Sequence, residues 1–103
     1  MDRTTPLSGL PATHPGEILR EDVLPALGRP KAQIARLLGI SRQTLYDILD
    51  EKQPITPAMA LRIGKLLGTS PESWLNMQRD FDLRRAQKEI GSALKAIPTL
   101  SAA

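Results

Sequence analysis

The residues of this chain whose types and spacing suggest specific chemistry lie close together, between positions 42 and 47. Arg42, Gln43, Thr44, Tyr46 and Asp47 all carry side chains that donate or accept hydrogen bonds. In the major groove of DNA, Arg pairs with guanine through two hydrogen bonds, Gln pairs with adenine in the same way, and Asp accepts from the cytosine amino group. These five residues, called the polar face below, therefore have the chemistry needed to recognise base edges.

The segment around the polar face has the pattern of two short helices joined by a tight turn. Ala35 is small enough to let two helices cross closely, and Gly39 adopts a positive φ without steric cost. The apolar residues that fall on the inward faces of the two helices are Ile34, Leu38, Ile40, Leu45 and Ile48. Residues 31–49 are therefore predicted to form a helix-turn-helix whose second helix turns the polar face away from the core.

Four further residues are predicted to contact the DNA backbone. Ser41 is expected to cap the second helix, which presents the positive end of the helix dipole to phosphate. Lys31 and Gln33 begin the first helix of the pair, and Lys52 follows the second helix within reach of a phosphate. Other interpretations stay open, because any helical hairpin can show this spacing, the polar face can be a solvated surface, and Tyr46 can pack its ring at the domain edge.

Helix punctuation along the chain predicts five helices. Caps and first-turn prolines mark the starts, and glycines mark the ends. The starts are His14-Pro15, Pro30, Ser41, Thr56-Pro57 and Ser70-Pro71, and the glycine ends are Gly28, Gly39 and Gly68. Pro25 is expected to kink the first helix or end it early, and the fifth helix should reach Gln87 or beyond. No segment alternates with period 2, so the fold class is predicted to be all-α, a compact five-helix bundle.

One folded domain is expected, at residues 14–96, because a chain of 103 residues with 41% hydrophobic and 24% charged side chains supports a single core. Residues 1–13 are interpreted as a flexible N-terminal arm and residues 97–103 as a flexible tail, since both are rich in turn-forming residues. Trp74 and Phe81 are interpreted mainly as core or dimer contacts rather than as a stacking platform for single-stranded nucleic acid.

Composition excludes several classes of site. The chain has no cysteine and one histidine, so disulfides and thiolate metal sites are ruled out, and His14 is expected only to begin the first helix. No paired acid and base, nucleophile or cofactor loop is recognisable, so we expect neither an enzyme nor a bound cofactor or metal. The longest apolar runs have four residues or fewer, so we expect a cytoplasmic protein with no membrane partner.

The charged residues of the last helix are of both signs, with acidic residues interspersed among the cations. This pattern is typical of a solvated face with ion pairs rather than of a phosphate-binding stripe. The cations are Arg79, Arg84, Arg85, Lys88 and Lys95, and the acidic residues among them are Asp80, Asp82 and Glu89. The net charge of +3 is a weak indication of nucleic-acid binding by itself.

Residues 31–49 resemble the helix-turn-helix of the phage-repressor-like (Xre) family, and a longer series of motifs resembles the HigA antitoxin family. The series runs over about residues 14–85 and is more specific than the helix-turn-helix alone. Its other members are HPGEIL at residues 14–19, ITPAMALR at residues 55–62, SPESWLNMQ at residues 70–78 and Asp82-Leu83. Pro25 and Gln53-Pro54 depart from the commoner pattern, which affects the expected loop geometry.

The resemblance implies a lambda-repressor-like domain that represses its own toxin–antitoxin operon. It would bind an inverted repeat of double-stranded operator DNA as a homodimer, with the fifth helix supplying much of the dimer surface, and would neutralise a RelE-like ribonuclease toxin. The alternative is a stand-alone phage-type regulator without a toxin. Glu17, Glu21 and Asp22, called the acidic face below, lie about one helical turn apart and are a candidate contact for a basic toxin, although unpartnered surface carboxylates are common.

Overall fold

The computed structural model describes residues 12–101, and within that range the chain forms five helices and no strand. The first, α1, is built from three consecutive segments, Pro15–Ile18, Leu19–Val23 and Leu24–Leu27. The others are α2 at Lys31–Leu38, α3 at Arg42–Leu49, α4 at Pro57–Leu67 and α5 at Pro71–Leu94. The predicted all-α fold with five helices is confirmed. Residues 1–11 of the predicted arm and 102–103 of the predicted tail lie outside the described residues.

The five helices begin where the sequence predicts, and α1, α2 and α4 end at the predicted glycines. The side chains of Ser41, Thr56 and Ser70 each accept a hydrogen bond from a backbone N–H three residues further on. Gly39 ends α2 with a φ of 74°, a conformation that residues with a Cβ rarely adopt. Because Ser41 follows only two residues later, α2 gives way to α3 through the tight turn that a helix-turn-helix requires.

Pro25 does not end α1. The preceding segment, Leu19–Val23, is a π-helical turn in which the N–H of Leu24 donates to the carbonyl of Leu19. In a regular α-helix the proline ring would meet the carbonyl of the residue four positions earlier, and the wider turn gives the ring more room. The helix therefore continues to Leu27, so of the two outcomes expected of Pro25, a kink or an early end, the early end is wrong.

The core lies between the inward faces of all five helices. Ala35 and Ala60 are 1% and 0% exposed, and their small side chains let α2 and α4 approach their neighbours closely. The larger buried apolar residues are Leu19, Leu24, Ile34, Leu38, Leu45, Ile48, Leu49, Ile55, Met59, Ile63 and Trp74. Burial of an aliphatic or aromatic side chain of this size contributes about 1.5–3 kcal/mol, so α3 is held firmly by its apolar side.

The aromatic residues of α5 pack as the sequence predicts. Trp74 is 4% exposed, and its indole Nε1 donates to the hydroxyl of Thr69 at 2.8 Å. Phe81 is half-buried and packs edge-on against the ring of His14, with centroids 4.9 Å apart. The interpretation of Trp74 as a core residue is confirmed.

His14 begins α1, as predicted, and its ring is buried. The Nδ1 atom accepts a hydrogen bond from the backbone N–H of Gly16 at 2.9 Å. Burial lowers the pKa of His14, although Glu51 and Asp82 oppose the shift by attraction. A lowered pKa keeps the imidazole neutral near neutral pH, and only the neutral ring has a nitrogen that can accept this hydrogen bond.

The backbones of α1 and α3 touch at Gly16. A Cβ at this position would overlap the carbonyl oxygen of Ile48, so only glycine fits without movement of one helix. Because α3 carries the polar face, its position in the domain depends on this contact.

Candidate DNA interface

The polar face lies on the first two turns of α3, opposite the buried side of that helix. Arg42, Gln43 and Tyr46 are exposed, and Thr44 and Asp47 are half-buried. Leu45, Ile48 and Leu49 fill the core from the other side of the same helix and are each 1–2% exposed. The five residues singled out from the sequence therefore lie together on one accessible surface.

The hydroxyl groups at the start of α3 are hydrogen-bonded to each other. Ser41 Oγ accepts from the N–H of Thr44 at 3.0 Å and donates to Thr44 Oγ1 at 2.8 Å. The proton of Ser41 is therefore in use, while Thr44 keeps its own hydroxyl proton as a donor for an outside acceptor. A phosphate at this position would be bound by backbone N–H groups of the first turn rather than by the Ser41 hydroxyl.

Gln43 and Asp47 are joined by a hydrogen bond that the sequence prediction did not include. Gln43 Nε2 donates to Asp47 Oδ1 at 2.8 Å. The two residues are four positions apart on one helix, which is the spacing at which helical side chains meet. That spacing was the signal from which the pair could have been found.

One residue predicted to contact phosphate lies directly beside the polar face. Lys31 Nζ lies 5.8 Å from the centroid of the Tyr46 ring, so the start of α2 contacts α3 through a cation–π interaction. Tyr46 is 40% exposed, and part of its ring is covered by this contact. Gln33 is half-buried, and Lys31 and Lys52 are exposed.

Two arginines that the sequence prediction did not single out bind the carboxyl ends of the two helices, α2 and α3, that form the helix-turn-helix. Arg20 Nη1, on α1, donates to the carbonyl of Leu49 at 2.6 Å. Arg62 Nη1, on α4, donates to the carbonyl of Leu38 at 2.8 Å. The last carbonyls of a helix have no partner within that helix, so each arginine supplies one from outside, Arg20 for α3 and Arg62 for α2.

The chain turns sharply after α3 at Glu51, which has a φ of 62°. Its carboxylate lies 3.4 Å from Arg20 Nη1. The backbone N–H of Lys52 donates to the carbonyl of Asp47 at 2.9 Å, so Lys52 stays next to the end of α3. Glu51 is thus a non-glycine residue in a left-handed conformation, which carries backbone strain, and it lies two residues before Gln53-Pro54.

Within residues 12–101, no group of three His, Asp or Glu side chains is arranged to hold a metal ion. None of the described helices is both long and apolar enough to cross a membrane.

The helix-turn-helix family profile matches residues 19–75, which is more than half of the chain. The chain belongs to the helix-turn-helix family. Virulence-associated protein I of Dichelobacter nodosus is 39% identical over 89 residues, which cover 86% of this chain and 82% of that protein.

Solved structures of antitoxins share the whole arrangement of helices. The antitoxin GraA in complex with its operator matches with a TM-score of 0.84 and 41% identity, over 91% of this chain and 96% of that chain. The Pseudomonas aeruginosa antitoxin HigA with the higBA promoter matches with a TM-score of 0.82 and 35% identity, over 87% of this chain and 99% of that chain. The HigA-type resemblance is confirmed, and this family consists of transcription regulators and antitoxins rather than enzymes.

Proposed function

We propose that this chain is a cytoplasmic antitoxin that binds operator DNA as a homodimer, represses its own operon and neutralises a RelE-like ribonuclease toxin. The observation that carries the proposal is the accessible polar face of α3, in a fold shared with antitoxins whose structures contain operator or promoter DNA. A stand-alone regulator without a toxin is the alternative, and the neutralisation experiment below separates the two.

The DNA contacts divide into those that select bases and those that fix position. The base-facing residues are Arg42, Gln43, Thr44, Tyr46 and Asp47. The phosphate contacts are Lys31, Gln33, Ser41 and Lys52. Ser41 acts through the start of α3, which it caps. Phosphate contacts set the register of the protein on the duplex, and the side chains of α3 then reach the base edges of the major groove.

Dimerisation is supported by an apolar stripe along α5. Leu75, Leu83, Ala86, Ile90 and Leu94 fall on one side of this 24-residue helix, which is roughly 36 Å long. Leu83, Ile90 and Leu94 are 52%, 49% and 42% exposed, and a groove of about 560 Å³ runs beside Leu75 and Leu83. A second copy would cover the stripe through a two-fold interface. The two α3 helices would then lie about 34 Å apart on an inverted repeat.

Replacement of Arg42 and Lys52 tests the two classes of DNA contact. Arg42→Ala should weaken binding to the specific site by about 1–3 kcal/mol and relax the preference at one base position. Lys52→Ala should weaken binding to all sequences alike. It should also make the negative slope of log affinity against log salt concentration shallower by about one. Binding is measured with the upstream promoter fragment and a random duplex at several salt concentrations.

Lys88→Ala serves as the matched control, because Lys88 is an exposed cation on α5 and should leave both affinity and salt slope unchanged. An equal loss on specific and random DNA for Arg42→Ala would contradict its assignment to base recognition.

Toxin neutralisation is assigned to the acidic face on α1, which is accessible. Glu17, Glu21 and Asp22 are all exposed, and Glu21 also pairs with Arg20 at 2.7 Å. The acidic side chains suit a basic ribonuclease by charge.

Co-expression with the neighbouring small ribonuclease gene tests this assignment. An Arg42→Ala/Gln43→Ala variant, which loses operator binding, is expected to restore growth as well as the wild type. Glu17→Gln/Asp22→Asn is expected to keep operator binding and lose most of the protection, because the attraction between the partners is removed. Failure of the wild-type chain to protect against any adjacent gene product would favour the stand-alone regulator.

A further inference from the structure

We propose that Asp47 is a positioning residue, which fixes the amide of Gln43 so that Gln43 selects adenine. This inference rests on the operator binding proposed above and assigns the roles of two residues within the polar face. The observation behind it is the 2.8 Å hydrogen bond between Gln43 Nε2 and Asp47 Oδ1 on the exposed surface of α3.

The chemistry of the pair determines which way the amide of Gln43 points. An ionised carboxylate only accepts hydrogen bonds, so the atom of Gln43 that faces Asp47 must be the amide nitrogen. The amide oxygen would be repelled by the carboxylate, so it points away from Asp47. A glutamine side chain without such a partner can place its amide in two orientations, with the oxygen and the nitrogen exchanged. The hydrogen bond to Asp47 leaves only one of them.

The fixed amide keeps the two groups that adenine requires. One hydrogen of Nε2 is bound to Asp47, and the other hydrogen and the oxygen Oε1 stay available. The available hydrogen lies on the same side of the amide as Oε1, because repulsion by Oε1 places the carboxylate at the opposite side. Adenine offers an acceptor at N7 and a donor at its 6-amino group, which match this hydrogen and this oxygen.

The same orientation disfavours guanine. Guanine presents two acceptors, N7 and O6, to the major groove, so the fixed Oε1 would face an acceptor. A glutamine that rotates freely can instead turn its NH₂ group toward the guanine acceptors. Selectivity for adenine therefore depends on Asp47, even where Asp47 touches no base.

The position of Asp47 supports a role in holding Gln43. Asp47 is half-buried, whereas Gln43 is exposed at the start of the helix, so the carboxylate is the less mobile partner. Its backbone carbonyl also accepts from the N–H of Lys52 at 2.9 Å, which keeps this turn of α3 in place. The hydrogen bond thus joins the exposed side chain of Gln43 to a less accessible carboxylate, whose backbone is anchored by Lys52.

Selection from a pool of randomised duplexes, followed by sequencing, tests the proposal. The wild-type protein is expected to prefer adenine over guanine by about tenfold or more at one position of each half-site, and Gln43→Ala should abolish this preference. Asp47→Ala should reduce the preference at that same position to about two- or threefold, without weakening binding to random DNA.

Asp50→Ala is the matched control, because it removes one exposed carboxylate just after α3 and should leave the adenine preference unchanged. Loss of selection in Asp47→Ala at a different position only, with the adenine preference intact, would show that Asp47 reads a base of its own and does not hold Gln43, which overturns the proposal. An unaltered adenine preference would overturn it as well. Absence of any sequence preference in the wild type would instead refute the proposed operator binding.

Discussion

Replacement of Gly16 by alanine is expected to destabilise the protein by about 3 kcal/mol or more, the upper end of the range for overpacked sites. The new Cβ would overlap the carbonyl oxygen of Ile48, which is backbone and cannot rotate away as a side chain can. Either α1 must move outward or α3 must shift. Urea unfolding monitored by far-UV circular dichroism measures the loss, and operator binding measures the displacement of α3.

Gly91→Ala is the control for this prediction. Gly91 lies within α5, and nothing lies within 4 Å of a Cβ built there. Alanine is the better helix former, so this variant should be more stable than the wild type by about 0.5–1 kcal/mol. If Gly16→Ala proved as stable as Gly91→Ala, the close contact between α1 and α3 would be refuted.

Introduction of charge into the apolar stripe of α5 is expected to separate the proposed dimer and to lower operator affinity by about 10²–10⁴-fold. In Leu83→Glu/Ile90→Glu, four carboxylates would face one another across the two-fold axis. Two linked recognition helices gain affinity because the second binding step is intramolecular, and a monomer loses that gain. Sedimentation equilibrium measures the association state, and band-shift titration on duplexes with one or two half-sites measures the affinity.

Leu61→Glu provides the comparison, since Leu61 is a leucine of α4 with 62% exposure that lies outside the stripe. This variant should stay dimeric and bind the two-half-site duplex as the wild type does. A double variant of α5 that remained a dimer, or a folded monomer with undiminished affinity, would place the interface elsewhere.

The helix-turn-helix could be predicted from the sequence because its determinants are local. The positive φ of Gly39, the cap of Ser41 and the apolar spacing of α3 each depend on residues within a few positions of one another. Local determinants of this kind also predicted the starts of the remaining helices and the ends of α1 and α4 at glycines. The polar face followed directly, since burial of one side of α3 leaves the other side accessible.

Features that depend on distant parts of the chain were not predicted. Arg20 binds a carbonyl 29 positions away, and Arg62 binds one 24 positions away, so neither contact has a signature in the sequence. The π-helical turn before Pro25 and the left-handed Glu51 were not predicted either, although Pro25 itself was expected to disturb α1.

The two arginine contacts have a consequence for protein engineering. A transplant of residues 31–49 into another scaffold would carry the side chains proposed to contact bases but would leave the terminal carbonyls of both helices exposed to water. The host would then have to provide a guanidinium group on each flank, or the crossing angle would drift and the contacts in the groove would fall out of alignment. Sequence preference should therefore transfer most faithfully when the exchanged unit includes α1 and α4.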